Sequence, residues 1–171
     1  FRNLLSMAAN LMEVDGKFEK DEFVSFLPLA WIGEQMMCLS SALLTGFTVN
    51  FPEKPETVQE NIREIGPTIM FSPPRIWENM TSTVQVKVMD ASALKRRMYH
   101  WALPVGYAYA DAVFRKEAVP ASLRLRHRLA YILVFRALKD RLGLLRIRSA
   151  STGGAALGPD VFKFFNSMGV N

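Results

Sequence analysis

The sequence predicts an α/β fold with a mostly parallel sheet, and three observations carry that prediction. Short apolar runs bounded by turn residues recur at 23–29, 47–51 and 68–71, as buried strands require. Stretches with helical spacing separate them. Gly46 and the Gly66-Pro67 pair stand where those helices should stop. Strand–helix alternation with short connections calls for crossovers, hence parallel pairing with both faces covered.

Each element has a local reason. Residues 3–12 place Leu4, Leu5, Ala8, Leu11 and Met12 on one face of a helix. A charged loop containing Gly16 follows over 14–21, then the first strand. Residues 31–44 read as a helix and 47–51 as the second strand. Pro55, Glu56 and Thr57 open a helix over 58–65. After the third strand, Pro73 and Pro74 open a helix expected to end near Met80. Two long helices over 91–116 and 122–142 then form a helical insertion, spanning about 91–142. A fourth strand is predicted over 144–149, followed by a Gly-rich turn and a helix over 159–168. No repeat or Pro/Ser linker interrupts the chain, so one structural unit is expected.

Composition narrows the function. The chain has 171 residues, half of them hydrophobic, which is enough for a sizeable core. One cysteine, Cys38, forbids an internal disulfide and favours a reducing, cytoplasmic setting. With two histidines beside it, no ordinary zinc site can be built, and no metal ligand set is expected. His100 and His127 fall in the insertion and read as surface or core residues, and Cys38 as a small core side chain. The charge-free stretch between Glu34 and Glu53 is broken by Gly46 and Pro52, so it is not a membrane span. A start at Phe1 and a stop at Asn171 suggest that both ends were cut.

The net charge of +5 is unevenly placed. Residues 121–148 hold eight basic residues against one acid, Asp140, so they carry +7 and the remainder −2. Within them the apolar run 129–135 is flanked by arginines. A solvated face over a core stripe is the plain reading. Arg124, Arg126 and Arg128 facing a membrane surface is the sharper one, with peripheral contact at the inner face. Nucleic acid is not expected, because no aromatics interleave with the arginines.

Three stretches could carry chemistry. The turn Ser151-Thr-Gly-Gly-Ala-Ala-Leu157 follows a strand and precedes a helix, where open α/β sheets bind ligands. Its glycines would let backbone approach a flat or anionic ligand, but the spacing is not that of a phosphate loop. Phe26-Leu-Pro-Leu-Ala-Trp31-Ile-Gly-Glu34 ends the first strand with a Trp at a helix start. That Trp could simply cap the core. Glu34 lies one turn into the helix, where the dipole favours a carboxylate. Ser72-Pro-Pro-Arg-Ile-Trp77 ends the third strand, and Arg75 there could face an anion or bond a carbonyl.

Together these stretches resemble the AMP-forming acyl-CoA synthetases, and within them the long-chain fatty acid–CoA ligases. Phe1-Arg-Asn-Leu-Leu is similar to the segment just after that family's phosphate loop. Phe26 to Gln35 resembles the acyl-pocket mouth, and Asn61 to Glu78 a stretch typical of the long-chain group. Arg141-Leu-Gly, then Arg146 to Leu157, resembles the strand and turn against adenine and acyl chain. The resemblance implies an internal part, residues 1–171, of one AMP-binding domain. It implies ATP, a fatty acid, coenzyme A and Mg2+ as reaction partners. It further implies Thr152, Gly153, Gly154, Ala155 and Ala156 against the nucleotide, and Trp31, Gly33, Met37 and Gly153 along the acyl pocket. Where many relatives have His after Leu-Pro-Leu-Ala, Trp31 stands here and suggests a steric gate. The phosphate loop and the magnesium-binding Glu would lie outside the chain, so no catalytic residue is expected within it. An adenylating ligase for aryl or amino acids, and a non-enzymatic membrane-surface module, are the alternatives.

Overall fold

The structure, a computed structural model, describes residues 2–170. Where the sequence predicts one structural unit, contacts group the residues into two compact units. The first runs up to Ser72 and takes back Leu142–Gly153; the second holds Pro73–Arg141 and the residues from Gly154 onward. The first unit is α/β with short parallel strands, as the sequence predicts, and the second is built of helices.

In the first unit, α1 (Arg2–Val14) leads through a loop to β1 (Glu22–Val24). A continuous helical stretch follows: α2 (Ile32–Glu34), a π-helical segment (Gln35–Ser41) and α3 (Ala42–Thr45). Gly46, at φ 77°, caps it through its N–H to the Ala42 carbonyl at 2.8 Å. Then come β2 (Thr48–Asn50), a 3-10 turn (Pro55–Thr57), α4 (Val58–Ile65), β3 (Ile69–Ser72) and, after Leu142, β4 (Ser149–Thr152).

The strands pair in parallel, β1 with β2 (Phe23 opposite Val49) and β3 with β4 (Met70 opposite Ala150). One backbone bond, Thr68 N–H to Glu22 C=O at 3.0 Å, links the β1 and β3 edges. Among the described residues the strands thus form two two-stranded parallel sheets, and ligands bind at the carboxyl ends of such strands. Phe23, Met37, Cys38, Phe47 and Ile69 form the buried core, with Phe71 and Leu11 packed against it.

Three expectations need correction here. The first strand ends at Val24, not Leu29, because the chain turns at Pro28, whose carbonyl accepts the Trp31 N–H at 2.9 Å. The fourth strand is Ser149–Thr152, not 144–149; residues 144–147 form a turn closed by Ile147 N–H to Leu144 C=O. Its register is held from afar, since Asp15 accepts from the Ser149 hydroxyl at 2.6 Å and pairs with buried Lys17. The helix opened by Pro74 runs to Met89, not Met80. Thr81 and Thr83 turn their hydroxyls back to the carbonyls of Trp77 and Asn79, so these β-branched residues fit a helix.

The second unit is helical. It contains α5 (Pro74–Met89), α6 (Ala93–Phe114), α7 (Ala121–Ala130), a π-helical segment (Tyr131–Phe135), α8 (Arg136–Leu142), whose last residue belongs to the first unit, and α9 (Pro159–Ser167). The long α6 is its axis. A methyl at Gly106 would stand 2.7 Å from the Phe135 ring and 2.8 Å from Ser167, so this glycine sets the closest approach. Trp77 and Phe165 meet edge to face at 4.9 Å. No helix among the described residues is long and apolar enough to cross a membrane.

Candidate functional site

At the carboxyl end of β1 the chain leaves the sheet through a short loop that carries three hydrogen-bonded ties. The Ser25 N–H donates to the Asn50 carbonyl at 2.8 Å, holding the loop start to β2. The Gln35 side-chain amide donates to the Leu29 carbonyl at 2.7 Å. The Ser25 hydroxyl donates to Glu34 Oε1. Glu34 is fully buried, and its Oε2 has no partner among the described residues. Burial pushes its carboxyl above the usual range, against the opposite pull of bonds from Ser25 and the Leu27 N–H. Burial therefore works against the ionised form that the helix dipole favours at this position.

Trp31 occupies the cap position before α2, with extended backbone and 47% of its surface exposed. It does not cap the core. Gly33 and Gly153 converge on one ring. A methyl at Gly33 would stand 2.4 Å from the Phe71 ring, and one at Gly153 would stand 3.0 Å from it. Phe71 therefore fills the space that both glycines leave open. Met37 is not on this surface: it is buried in the core cluster against which Phe71 packs. Of the predicted acyl-pocket set, the structure brings Gly33 and Gly153 together, keeps Met37 behind Phe71 and leaves Trp31 at the surface.

Sequence reasoning missed Phe71, Ser25 and the buried Ser72, whose hydroxyl has no partner among the described residues. The available signal was their place at the carboxyl ends of β1 and β3, where ligands gather.

After β4, the turn begins with Thr152 exposed and Gly153 half-buried. Gly154 has φ +89°, a conformation that side-chain-bearing residues rarely adopt. Among the described residues, nothing lies within 4 Å of a Cβ placed there. Ala155 and Ala156 are exposed. This is backbone open to a ligand, shaped by a left-handed glycine. Arg75 is exposed on the first turn of α5. Phe1, first residue of the stretch similar to the segment after a phosphate loop, lies outside the described residues. Among the described residues, no group of three or more His, Cys, Asp or Glu could hold a metal ion.

The basic segment has a different character. Arg124, Arg126 and Arg128 are exposed, and none pairs with an acid among the described residues. Leu125, Leu129, Ile132 and Leu133 are exposed as well, at a spacing that lines one helical face. His127 is stacked on Tyr109 at 4.0 Å and bonded to the Ser167 carbonyl, which is a packing role. His100 is exposed and Cys38 is buried.

The family model described as "AMP-binding enzyme" matches residues 1–171. The chain is similar to a long-chain-fatty-acid–CoA ligase of Rattus norvegicus, 29% identical over 94% of this chain and 24% of that protein. A human long-chain-fatty-acid–CoA ligase is 29% identical over 86% of this chain and 22% of that protein. The chain thus spans about a quarter of the length of these curated relatives. Among solved structures, it resembles the adenylation domain of a carboxylate reductase from Mycobacterium chelonae, with TM-score 0.54 and 19% identity. That match covers 96% of this chain and 21% of the other, and it shows the shared adenylation-domain fold.

Proposed function

Since the chain belongs to the AMP-binding enzyme family, we propose that it is an internal part of one adenylating domain in a long-chain fatty acid–CoA ligase. In that reaction a fatty acid carboxylate attacks the α-phosphate of ATP and expels pyrophosphate. The coenzyme A thiol then displaces AMP to give the thioester. The likeness to rat and human long-chain ligases supports this substrate class.

The observation that carries the reading is the convergence of Gly33 and Gly153 on Phe71 at the carboxyl ends of the strands. Two residues without side chains let the Phe71 ring pack against their backbone, and that ring is the apolar wall at the strand ends. A flexible apolar chain needs such a wall, and it gains from excluding water near the acyl carbonyl. Trp31 at the exposed start of α2 is the gate. The Gly154 backbone, open and left-handed, suits close approach of the adenylate. Thr152, Ala155 and Ala156 border it. This chain's part is to bind, orient and exclude water.

The exposed stripe Leu125, Leu129, Ile132 and Leu133 beside three arginines with no acidic partner among the described residues supports a second role, peripheral contact with an anionic lipid surface. The setting is the cytoplasmic face of the membrane. Palmitate-dependent ATP–pyrophosphate exchange by the full-length protein tests the main reading. Exchange driven by an aryl or amino acid instead would move the assignment to another adenylating ligase.

A further inference from the structure

We propose that Ser25 and Glu34 form a positioning latch that sets Trp31 and Gly33 against the acyl chain; this rests on the ligase reading. A loop containing Pro28 connects β1 to α2 and would open easily if it were not tied down. Ser25 is the tie at its start, fixed to β2 through its own N–H. Glu34 is the tie at its end, one helical turn after Trp31, with its N–H on the Trp31 carbonyl at 3.1 Å. The bond between their side chains closes the loop on itself across nine positions. Pulling on Glu34 therefore fixes the Trp31 backbone while the indole remains free to move in solvent. It also fixes Gly33, which must stay within contact of Phe71.

Glu34 is an expensive choice for a mere filler. It is fully buried, with no cation within ion-pair distance among the described residues, and one oxygen has no partner at all. A leucine there would avoid the cost of burying a polar group. Glutamate adds one thing that leucine cannot, a directional bond to Ser25. The raised carboxyl pKa agrees with a neutral acid in that role, and a neutral amide should replace it.

The test uses the full-length protein with Ser25→Ala, Glu34→Ala and Glu34→Gln. Two readouts are taken: the ratio of kcat/KM for palmitate over decanoate, and backbone hydrogen exchange over residues 25–35. Both alanine variants are expected to speed exchange in that segment and to change the ratio by about tenfold, the scale of a pocket-wall effect. The Michaelis constant for ATP should stay put, and Glu34→Gln should restore the ratio. Ser25→Ala removes a single oxygen, so it keeps the test open if Glu34→Ala does not fold. Unchanged exchange, or faster exchange with an unchanged ratio, overturns the latch while the ligase reading stands. Absence of palmitate-dependent pyrophosphate exchange in the unsubstituted protein overturns the ligase reading, and the acyl latch with it.

Discussion

The strand ends of the first unit and the basic helix of the second present chemistry in opposite ways. Around Phe71 and Gly153, Ser25 and Glu34 are buried and bonded to each other, and glycines set the spacing. Along α7 and the π-helical segment after it, arginines are exposed and unpaired beside exposed leucines. The first arrangement is rigid and shape-specific, as selection of one substrate requires. The second holds no fixed partner geometry, which suits a fluid, anionic surface better than a single small molecule. The two regions should therefore fail differently: the first through shape and protonation, the second through salt and charge reversal.

Charge reversal should give the largest effect. Replacing Arg124, Arg126 and Arg128 by Glu removes about 1 kcal/mol of surface attraction per residue, before repulsion is counted. Vesicle binding of the full-length protein should fall on the order of a hundredfold. Raising salt should weaken the unsubstituted protein in the same direction, because exposed charges are screened. Partition that ignores both changes would reduce α7 to a solvated face and erase the contrast.

Overpacking the first region comes next. Gly33→Ala places a methyl 2.4 Å from the Phe71 ring. Forcing that ring aside should cost about 1–3 kcal/mol in denaturant unfolding. Adding Phe71→Leu should recover most of the loss. Non-recovery would mean that Gly33 answers to something other than Phe71. Trp31→Ala, in contrast, should leave stability nearly unchanged because the indole is half exposed, and should shift chain-length preference instead.

Gly154 divides conformation from contact. Its φ of +89° means that any side chain strains the turn, although the space around it is open. Gly154→Val should raise the Michaelis constants for ATP and fatty acid together, by about tenfold if the strain is near 1.4 kcal/mol. Gly153→Ala, at ordinary φ but 3.0 Å from Phe71, should affect the fatty acid more than ATP. Equal effects on both ligands at Gly153 would break the assignment of that residue to the acyl wall.

Some of this was legible in the sequence because its causes are local. Gly46 and Gly66 end their helices at φ 77° and 60°, as a glycine after an apolar helical run suggests. The three arginines are exposed because charged side chains on a helix face rarely do otherwise. The fourth strand was misplaced because Leu144 to Ile147 look strand-like alone. Its true register depends on Lys17 and Asp15, far away in sequence. The role of Phe71 depends on two glycines in separate segments, and the raised Glu34 pKa on burial, against the opposite pull of Ser25. Neither carries a local signature.

Protonation gives the smallest effect and the sharpest contrast, since arginines do not titrate in the accessible range. In the first unit two carboxyls move in opposite directions. Burial raises the Glu34 pKa above its ordinary 4.5. Between 4.5 and its folded value the native state holds a proton that the unfolded chain has lost. Glu34 therefore contributes stability below 4.5 and loses it as pH rises through the folded value. For Asp21, burial also pushes upward, but bonds from Arg148, Thr68 and the Phe18 N–H outweigh it and hold the pKa below 3.8. Its contribution is present above 3.8 and is lost as pH falls through the folded value. Unfolding of the full-length protein should be followed across pH for Glu34→Gln and Asp21→Asn. The stability advantage of the unsubstituted protein over Glu34→Gln should shrink as pH rises above 4.5. Its advantage over Asp21→Asn should shrink as pH falls below 3.8. Neither slope can exceed about 1.4 kcal/mol per pH unit for one proton. Vesicle binding through the arginines should stay flat across both windows. Parallel slopes for the two variants would mean that Glu34 is ionised in the folded protein, and the buried latch would then have to be redrawn as a charged one.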